Sequence, residues 1–266
     1  METEIRLTDP QKAGFSFMND LMDKLKSGSG KTLLTVFPHP DDESLPVGGV
    51  VVAAKQAGWK VIVVSLTAGG AGKIYVRGNG KSLKEIRREE LRRAVGILGA
   101  DAVVIGDFTD GGLRTETGWK RWVDEVMEEY RPEAVVTYDP SGFYGHPDHI
   151  AVSKYMFEQF RRQPNKGGKK WELWFMAVPQ ILKDREVITG MDQVKAQMVA
   201  PTHRLDLGWN WIRKWRAIRA HRSQRLGKSL ELPLGLFLAI NHSEWYHVVS
   251  DPSEAEYKFK YTDYQI

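Results

Sequence analysis

Leu33-Leu34-Thr35-Val36-Phe37 and Val61-Ile62-Val63-Val64-Ser65-Leu66 bracket the stretch whose reading decides the fold. Each run is short, rich in β-branched and apolar residues, and lacks polar alternation, which is the pattern of a strand buried on both faces. Between them lie a loop and an apolar segment from about Pro46 to Gln56. Proline is tolerated in a first helical turn, and Gly58 suits a helix stop. Strand, helix and strand at this spacing predict two parallel strands joined by a crossover helix.

The alternation continues outward from that unit. Leu83, Ile86, Leu91, Ala94 and Leu98 recur at helical spacing and are stopped by Gly99. Ala102–Ile105 reads as a strand, Trp119–Tyr130 as a helix, Ala134–Tyr138 as a strand, and a helix follows from about Pro147 to Phe160. The expected class is α/β, a doubly wound and mostly parallel sheet with helices on both faces. Past Phe160 the pattern weakens to a polar turn over Gln163–Lys170, strands at Trp171–Val178 and His203–Leu207, and a last long helix from Trp209 to Ser223. Ahead of the core, Phe15, Met18, Leu21 and Leu25 predict a helix from about Pro10 to Lys26, broken by Ser27-Gly28-Ser29-Gly30. With no internal repeat or linker, residues 1–266 read as one domain: an N-terminal helix at 10–26, a core over about 32–224 and a C-terminal extension over 225–266.

Composition narrows the chemistry. The 266 residues are 42% apolar, 27% charged and 11% aromatic, a globular profile and not a disordered one. The absence of cysteine excludes disulfides and thiolate-bound zinc, leaving histidine and carboxylates as metal ligands. The N-terminus has no apolar run of signal-peptide type, and no stretch approaches the roughly 20 residues that span a bilayer. The expected location is cytoplasmic, with no membrane partner. A net charge of +4 is modest for this length and does not argue for nucleic acid.

Ionisable residues cluster directly after two of the expected strands. His39, Asp41, Asp42 and Glu43 follow the first, and His146, Asp148 and His149 follow the fourth. In a parallel sheet every strand's carboxyl end opens on one edge, and ligands sit where the strand order reverses. With the order 3-2-1-4-5, these two loops face each other across one crevice. Taken singly, a His-Pro or an Asp-Asp is the ordinary content of a solvated turn. Two such groups at the ends of adjacent strands match what a catalytic zinc requires: two histidines and a carboxylate, with a fourth position for water. The surplus acids and histidine supply a base and an oxyanion stabiliser.

His39-Pro40-Asp41-Asp42-Glu43 together with His146-Pro147-Asp148-His149 resembles the PIG-L/LmbE family of zinc-dependent N-deacetylases, over about residues 32 to 224. The resemblance implies a Rossmann-like fold and removal of acetyl from a small-molecule amino-sugar substrate containing N-acetylglucosamine. It implies His39, Asp42 and His149 as ligands of Zn²⁺, other divalent ions being admissible, and Asp41 as general base. His146 would polarise or protonate the scissile amide, Asp148 would orient it, and Tyr144 would steady the oxyanion. Arg87 in Arg87-Arg88-Glu89-Glu90-Leu91 matches a substrate-contacting arginine, and Asp110 in Asp110-Gly111-Gly112-Leu113 an aspartate that binds sugar hydroxyls. His221 in Ala220-His221-Arg222-Ser223-Gln224 is grouped with these substrate-binding residues. The chain departs from the family at Thr67–Lys73, glycine-rich where many members are acidic, and after Gln224, where no match is seen.

Rival readings use the same residues differently. An amidase taking a larger acyl group or a thiol-conjugate amide would share the metal machinery, and a metal-dependent binding protein would lack turnover. Gly69–Gly72 follows a strand but has neither a P-loop ending nor the Gly-x-Gly-x-x-Gly spacing; it reads as a hinged lid over the crevice. Trp209, Trp211 and Trp215 interleave with six basic residues up to Arg225, a pattern compatible with single-stranded nucleic acid. Trp211, Trp215, Ile218 and Arg222 fall at helical spacing, so inward packing with a solvated basic face is preferred, with an anionic substrate tail as the better use of those charges. The aromatic C-terminus, from Trp245 to Tyr264, suits edge strands or a subunit contact, and a homo-oligomer is left open.

Overall fold

The computed structural model describes residues 18–72, 75–76, 80–163, 170–179, 192–224, 226, 233–251, 257 and 259. Its strands are β1 (Asn19–Asp20), β2 (Thr32–Phe37), β3 (Lys60–Thr67), β4 (Ala102–Phe108), β5 (Ala134–Tyr138), β6 (Glu172–Ala177), β7 (His203–Asp206) and β8 (Ser243–Val249). They form one eight-stranded sheet in the order β1-β7-β8-β6-β5-β2-β3-β4. From β4 to β6 every pairing is parallel, and β2 lies between β3 and β5 with Thr35 opposite both Val63 and Val136. The expected order of the five core strands therefore holds, and the reversal falls between β2 and β5.

The helices of the core are α1 (Leu21–Lys26), α2 (Gly48–Gln56), α3 (Leu83–Leu98), α4 (Gly118–Tyr130), α5 (Gly142–Gly145) and α6 (Pro147–Arg161). Alternate residues of each central strand feed two separate cores. Leu33 and Phe37 pack with Val50, Val51, Ala94 and Leu98 under α2 and α3, while Leu34 and Val36 pack with Val123, Val152 and Met156 under α4 and α6. Burial on both faces is why these strands show no polar alternation. At about 25 cal/mol per Å² of apolar surface removed from water, these two layers supply the main driving force for folding.

Three expectations need correction. The N-terminal helix begins only at Leu21: Asn19–Asp20 pair with His203–Arg204, and Asp20 caps α1 by accepting from the Met22 N–H at 2.9 Å. Residues 10–17 of the expected helix lie outside the described residues. The expected long helix Trp209–Ser223 is a 3₁₀ turn at Gly208–Asn210 and an α-helix over Trp211–Ile218. It ends early because the buried Glu90 carboxylate takes the Ser223 N–H at 2.7 Å and the Ser223 hydroxyl at 2.6 Å, pulling the chain out of helical pairing. Its inward face is Lys214, Ala217 and Ile218, with Trp211 packed against the core as expected, whereas Trp209 and Arg222 are exposed. The expected edge strand at Trp245 and Tyr246 is instead an interior one, since β8 inserts antiparallel between β6 and β7 and buries Tyr246 completely.

A second consequence of β8 is a buried ionic cluster at the start of α2. Glu244 Oε1 accepts the Gly49 N–H at 2.6 Å and Lys214 Nζ at 2.7 Å, and Oε2 accepts the Val50 N–H at 2.8 Å and the Tyr246 hydroxyl at 2.5 Å. A carboxylate is well placed at a helix N-terminus, where unpaired N–H groups and the helix dipole favour negative charge. Lys214 is therefore committed inside the fold, and Arg213 donates to the Ile97 carbonyl near the end of α3 at 3.1 Å. Among the described residues no helix is long and apolar enough to cross a membrane.

Candidate active site

The loop after β2 begins with Pro38, and Pro40 holds His39 out of helical geometry. Asp41 then takes φ +101°, a left-handed backbone that costs a non-glycine residue about 1–3 kcal/mol. The turn is tied by Ser44 and Leu45, whose N–H groups both donate to the Asp41 carbonyl at 3.0 Å. The Asp41 N–H donates to Glu43 Oε2 at 2.9 Å. Reversing φ at this one residue sends two neighbouring carboxylates to different places. Asp42 turns back on His39, accepting the His39 N–H at 2.9 Å, while Asp41 Oδ2 meets Arg87 Nη2 at 3.1 Å.

The second loop follows β5. His146 caps α6, its Nδ1 accepting the Asp148 N–H at 3.2 Å, and Pro147 occupies the first helical turn. His149 is buried one turn in, against the Tyr138 ring, with centroids 4.0 Å apart and planes within 5°. Its Nδ1–H donates to the Gly142 carbonyl at 3.1 Å, leaving the Nε2 lone pair facing the crevice. A side chain at Gly142, which has φ +63°, would place its Cβ 2.7 Å from Ile150, so that carbonyl approach needs glycine.

Three donors converge between the loops. His39 Nδ1 lies 3.3 Å from His149 Nε2 and 3.7 Å from Asp42 Oδ2, and His149 Nε2 lies 3.8 Å from Asp42 Oδ1. Tetrahedral ligands about 2.0–2.1 Å from zinc stand roughly 3.3 Å apart; the histidine pair matches that spacing, and Asp42 stands farther out, turning a different oxygen to each ring. His39 Nε2 faces the other way, 3.0 Å from Asp110 Oδ1 and 3.2 Å from Asp148 Oδ2. Those carboxylates could be counted as a second ligand group with His39. Like Asp42, they also accept other hydrogen bonds: Asp148 those of the Gly111 and Leu113 N–H groups at 2.8 and 3.0 Å, and Asp110 Oδ2 that of Ala71 at 2.8 Å. Their effect is to hold the His39 Nε2–H and leave Nδ1 free, the usual arrangement behind a metal-bound imidazole. His146 also brings a ring nitrogen within 4.8 Å of those of His39 and His149.

Burial disfavours charge on His39, but hydrogen bonds to Asp110 and Asp148 and the charge of Asp42 outweigh it and hold its pKa at about 10. Burial and then the His39 charge push His149 well below its ordinary value. The two rings so tuned face each other across the crevice, His39 Nδ1 and His149 Nε2 standing 3.3 Å apart. Burial raises Asp42 to about 7 against the pull of His39, and raises Asp41 against that of Arg87. Burial and then His39 lower His146 to about 4, so its neutral ring carries the proton on Nε2. Burial raises the Tyr144 phenol, whose ring stands edge-on to His146 and His149 at 5.8 and 5.2 Å.

Several expected roles change with the geometry. The Asp148 carboxylate bears on His39 and on the 111–113 backbone; only its N–H touches His146. Arg87, expected to contact substrate, is 5% exposed, and its guanidinium bonds the Pro40 carbonyl at 2.5 Å and that of Gly69 at 3.2 Å besides Asp41. Gly69 has φ +68°, and a Cβ there would lie 2.3 Å from Arg87 Nη1. The glycine loop is therefore pinned by Arg87 and Asp110 up to Ala71, where a hinged lid was expected; Lys73 lies outside the described residues. Asp110, expected on sugar hydroxyls, engages His39 and Ala71. His221 does not line the crevice: it is buried, with Nε2 2.7 Å from Glu43 Oε1. The sequence reading passed over Tyr138, whose hydroxyl donates to Asp42 Oδ1 at 2.5 Å. Its signal was a polar-tipped aromatic at the last position of a buried strand beside the crevice.

A doubly wound sheet whose switch point holds two histidines and a carboxylate, with a further carboxylate beside them, is the framework of a metal-assisted hydrolase. The chain belongs to the PIG-L family, whose profile, GlcNAc-PI de-N-acetylase, matches residues 34–160. It is 27% identical over 269 residues to the 1D-myo-inositol 2-acetamido-2-deoxy-alpha-D-glucopyranoside deacetylase of Thermobifida fusca (strain YX), across 84% of this chain and 94% of that one. It is 31% identical over 207 residues to a protein of Bacillus anthracis named probable N-acetyl-alpha-D-glucosaminyl L-malate deacetylase 2, across 75% and 84% of the two chains. N,N'-diacetylchitobiose deacetylase from Pyrococcus horikoshii shares the fold at a TM-score of 0.65 and 20% identity, over 91% of this chain and 93% of that one.

Proposed function

We propose that the protein is a zinc-dependent deacetylase that hydrolyses the acetamide of an N-acetylglucosamine-containing small molecule. The observation that carries this is the divergence at Asp41-Asp42: one carboxylate lies beside His39 and His149, and its neighbour turns away to Arg87. Both sequence relatives bear names of deacetylases of acetylated glucosamine conjugates, which favours the same bond in a related acceptor. His39, Asp42 and His149 would hold the ion, which when bound lowers the pKa of a coordinated water and polarises a carbonyl.

The chain's own residues do the rest. Asp41, kept basic by its burial, takes a proton from the attacking water and passes it toward the departing amine. The His146 Nε2–H and the Tyr144 hydroxyl donate hydrogen bonds to the oxygen that gains charge as the carbonyl carbon becomes tetrahedral. Tyr138 and the His39 N–H hold Asp42 so that its oxygens stay on the ligand side. Arg87 anchors Asp41 and the glycine loop together. Acetate release should be measured on N-acetylglucosamine, its inositol and malate glycosides and diacetylchitobiose, before and after chelation and with Zn²⁺ restored. Activity on at least one of them, lost on chelation and recovered with zinc, is expected. Full turnover in metal-free protein would overturn the assignment, and release of a larger acid from acyl analogues in preference to acetate would move it to another amidase.

A further inference from the structure

We propose that Glu43 and His221 are positioning residues that hold the Asp41 backbone in its left-handed turn and so aim the Asp41 carboxylate at the reaction centre. The inference rests on Asp41 being the base. Three observations carry it. First, Asp41 sits at φ +101°, where an aspartate does not rest without restraint, and its N–H is held by Glu43 Oε2 at 2.9 Å. Second, the other oxygen of that carboxylate is fixed by His221 Nε2 at 2.7 Å and by the Ser44 hydroxyl, so Glu43 has little freedom to rotate. Third, His221 is itself tethered: two residues on, Ser223 is gripped through its N–H and hydroxyl by the buried Glu90 of α3. Arg87, three residues before Glu90 on the same helix, meets the Asp41 carboxylate.

Helix α3 and the segment 221–223 thus form a frame around one strained residue, one part holding its side chain and the other its backbone. None of this frame needs to touch substrate. Both Glu43 and His221 are buried, at 1% and 2% exposure, and they bond each other across 178 positions of sequence. Burial pushes Glu43 up, yet the His221 charge and hydrogen bond outweigh it and keep it below its ordinary value, as an ion pair requires. The His221 Nδ1 has no hydrogen-bond partner among the described residues, so the ring's one protein bond is the one that restrains Glu43.

The test is a double-mutant cycle on the zinc-loaded full chain with whichever acetylated sugar it turns over. His221→Phe should lower kcat by about 10²-fold, within the range of a general-base contribution, with KM and bound metal unchanged. In an Asp41→Asn background the same substitution should lower kcat less than about threefold, because the group it acts through is already disabled. His221→Gln, which retains an N–H for Glu43, should recover part of the loss. Should His221→Phe fail to fold, Glu43→Gln enters the same cycle. Equal losses in both backgrounds would overturn the positioning role, as would loss of metal with unchanged turnover per bound ion. A wild-type rate for Asp41→Asn alone would instead remove Asp41 as base, so the two failures are distinguishable.

Discussion

Asp41 and Glu244 are both carboxylates largely withdrawn from water, meeting the same segment of chain near its two ends, and they are treated in opposite ways. Glu244 is saturated, each oxygen receiving two donors from Gly49, Val50, Lys214 and Tyr246 on relaxed backbone. Asp41 is held in a left-handed turn with its N–H taken by a neighbour, and its carboxylate meets one nitrogen of Arg87 at 3.1 Å. Glu244 has its acceptor sites taken up by donors of the fold, which commits it to holding helix α2. A buried carboxylate with a single cationic partner keeps an appetite for protons. The contrast separates a group that fastens helix α2 to strand β8 from one that the proposed mechanism uses as its base.

The strongest way to break the contrast is to remove the charge at each site in turn. Asp41→Asn keeps the shape and removes the basicity, so kcat should fall about 10³-fold, within the range of general-base catalysis, with metal content and melting temperature nearly unchanged. Glu244→Gln should do the reverse. It strands Lys214 beside an amide and turns an amino group toward helix N–H donors, costing roughly 3–5 kcal/mol of stability by analogy with other broken buried ion pairs. Turnover of the folded fraction should stay within about threefold of wild type, since no group near the metal is altered. Urea denaturation with parallel initial rates reads both effects. A catalytic defect at Glu244, or a collapse of stability at Asp41, would dissolve the distinction.

A smaller effect sharpens the picture on the ligand side. His39 is held at about 10 and Asp42 at about 7 in the metal-free protein, whereas a ligand must bind without its proton. At pH 7 the occupied site should therefore carry fewer protons than the empty one, with His39 losing one and Asp42 about half of one. The sign is that metal affinity falls as pH falls. The His39 contribution to metal-free stability is present below its unfolded value of 6.5 and is lost as pH rises through about 10. Titration calorimetry of Zn²⁺ in buffers of different ionisation enthalpy measures the released protons directly. Heats independent of buffer would show that His39 and Asp42 release no proton on binding.

How much of this was legible in the sequence follows from how local each feature is. The core strands and their order came through because Leu33–Phe37 and Val61–Leu66 carry their burial in their own composition. The meeting of the two histidine loops was legible because each motif lies within a few residues of a strand end. What stayed hidden depends on partners far along the chain. The helix at Trp211 stops at Ile218 because Glu90 claims Ser223, and nothing within residues 209–223 announces that. The stretch from Trp245 was read as suiting edge strands, but its place inside the sheet depends on β6 and β7 at its sides and on the α2 N–H groups that receive Glu244. Arg87, Asp110 and His221 were read as substrate contacts, and the partners that hold them lie within the chain, at Asp41, His39 and Glu43. Motif matching identifies which residues are constrained without showing what constrains them.

Tyr144 provides the last and gentlest probe, because it belongs to the crevice yet hangs from a different kind of support. Its loop also takes positive φ, +67° at Phe143 between glycines at +63° (Gly142) and +86° (Gly145) that adopt it freely, but what surrounds the ring is aromatic packing against Phe143, His146 and His149. Packing of this kind leaves a ring freer to pivot than an ion-pair frame does, so the hydroxyl can follow the oxygen as charge builds on it. Tyr144→Phe deletes one hydrogen bond to that oxygen and should slow kcat about tenfold, equivalent to roughly 1.4 kcal/mol, with KM little changed. A rise in KM at constant kcat would instead place the hydroxyl on bound substrate before the reaction begins. That outcome would make Tyr144 a recognition residue and leave His146 as the donor that stabilises the oxyanion.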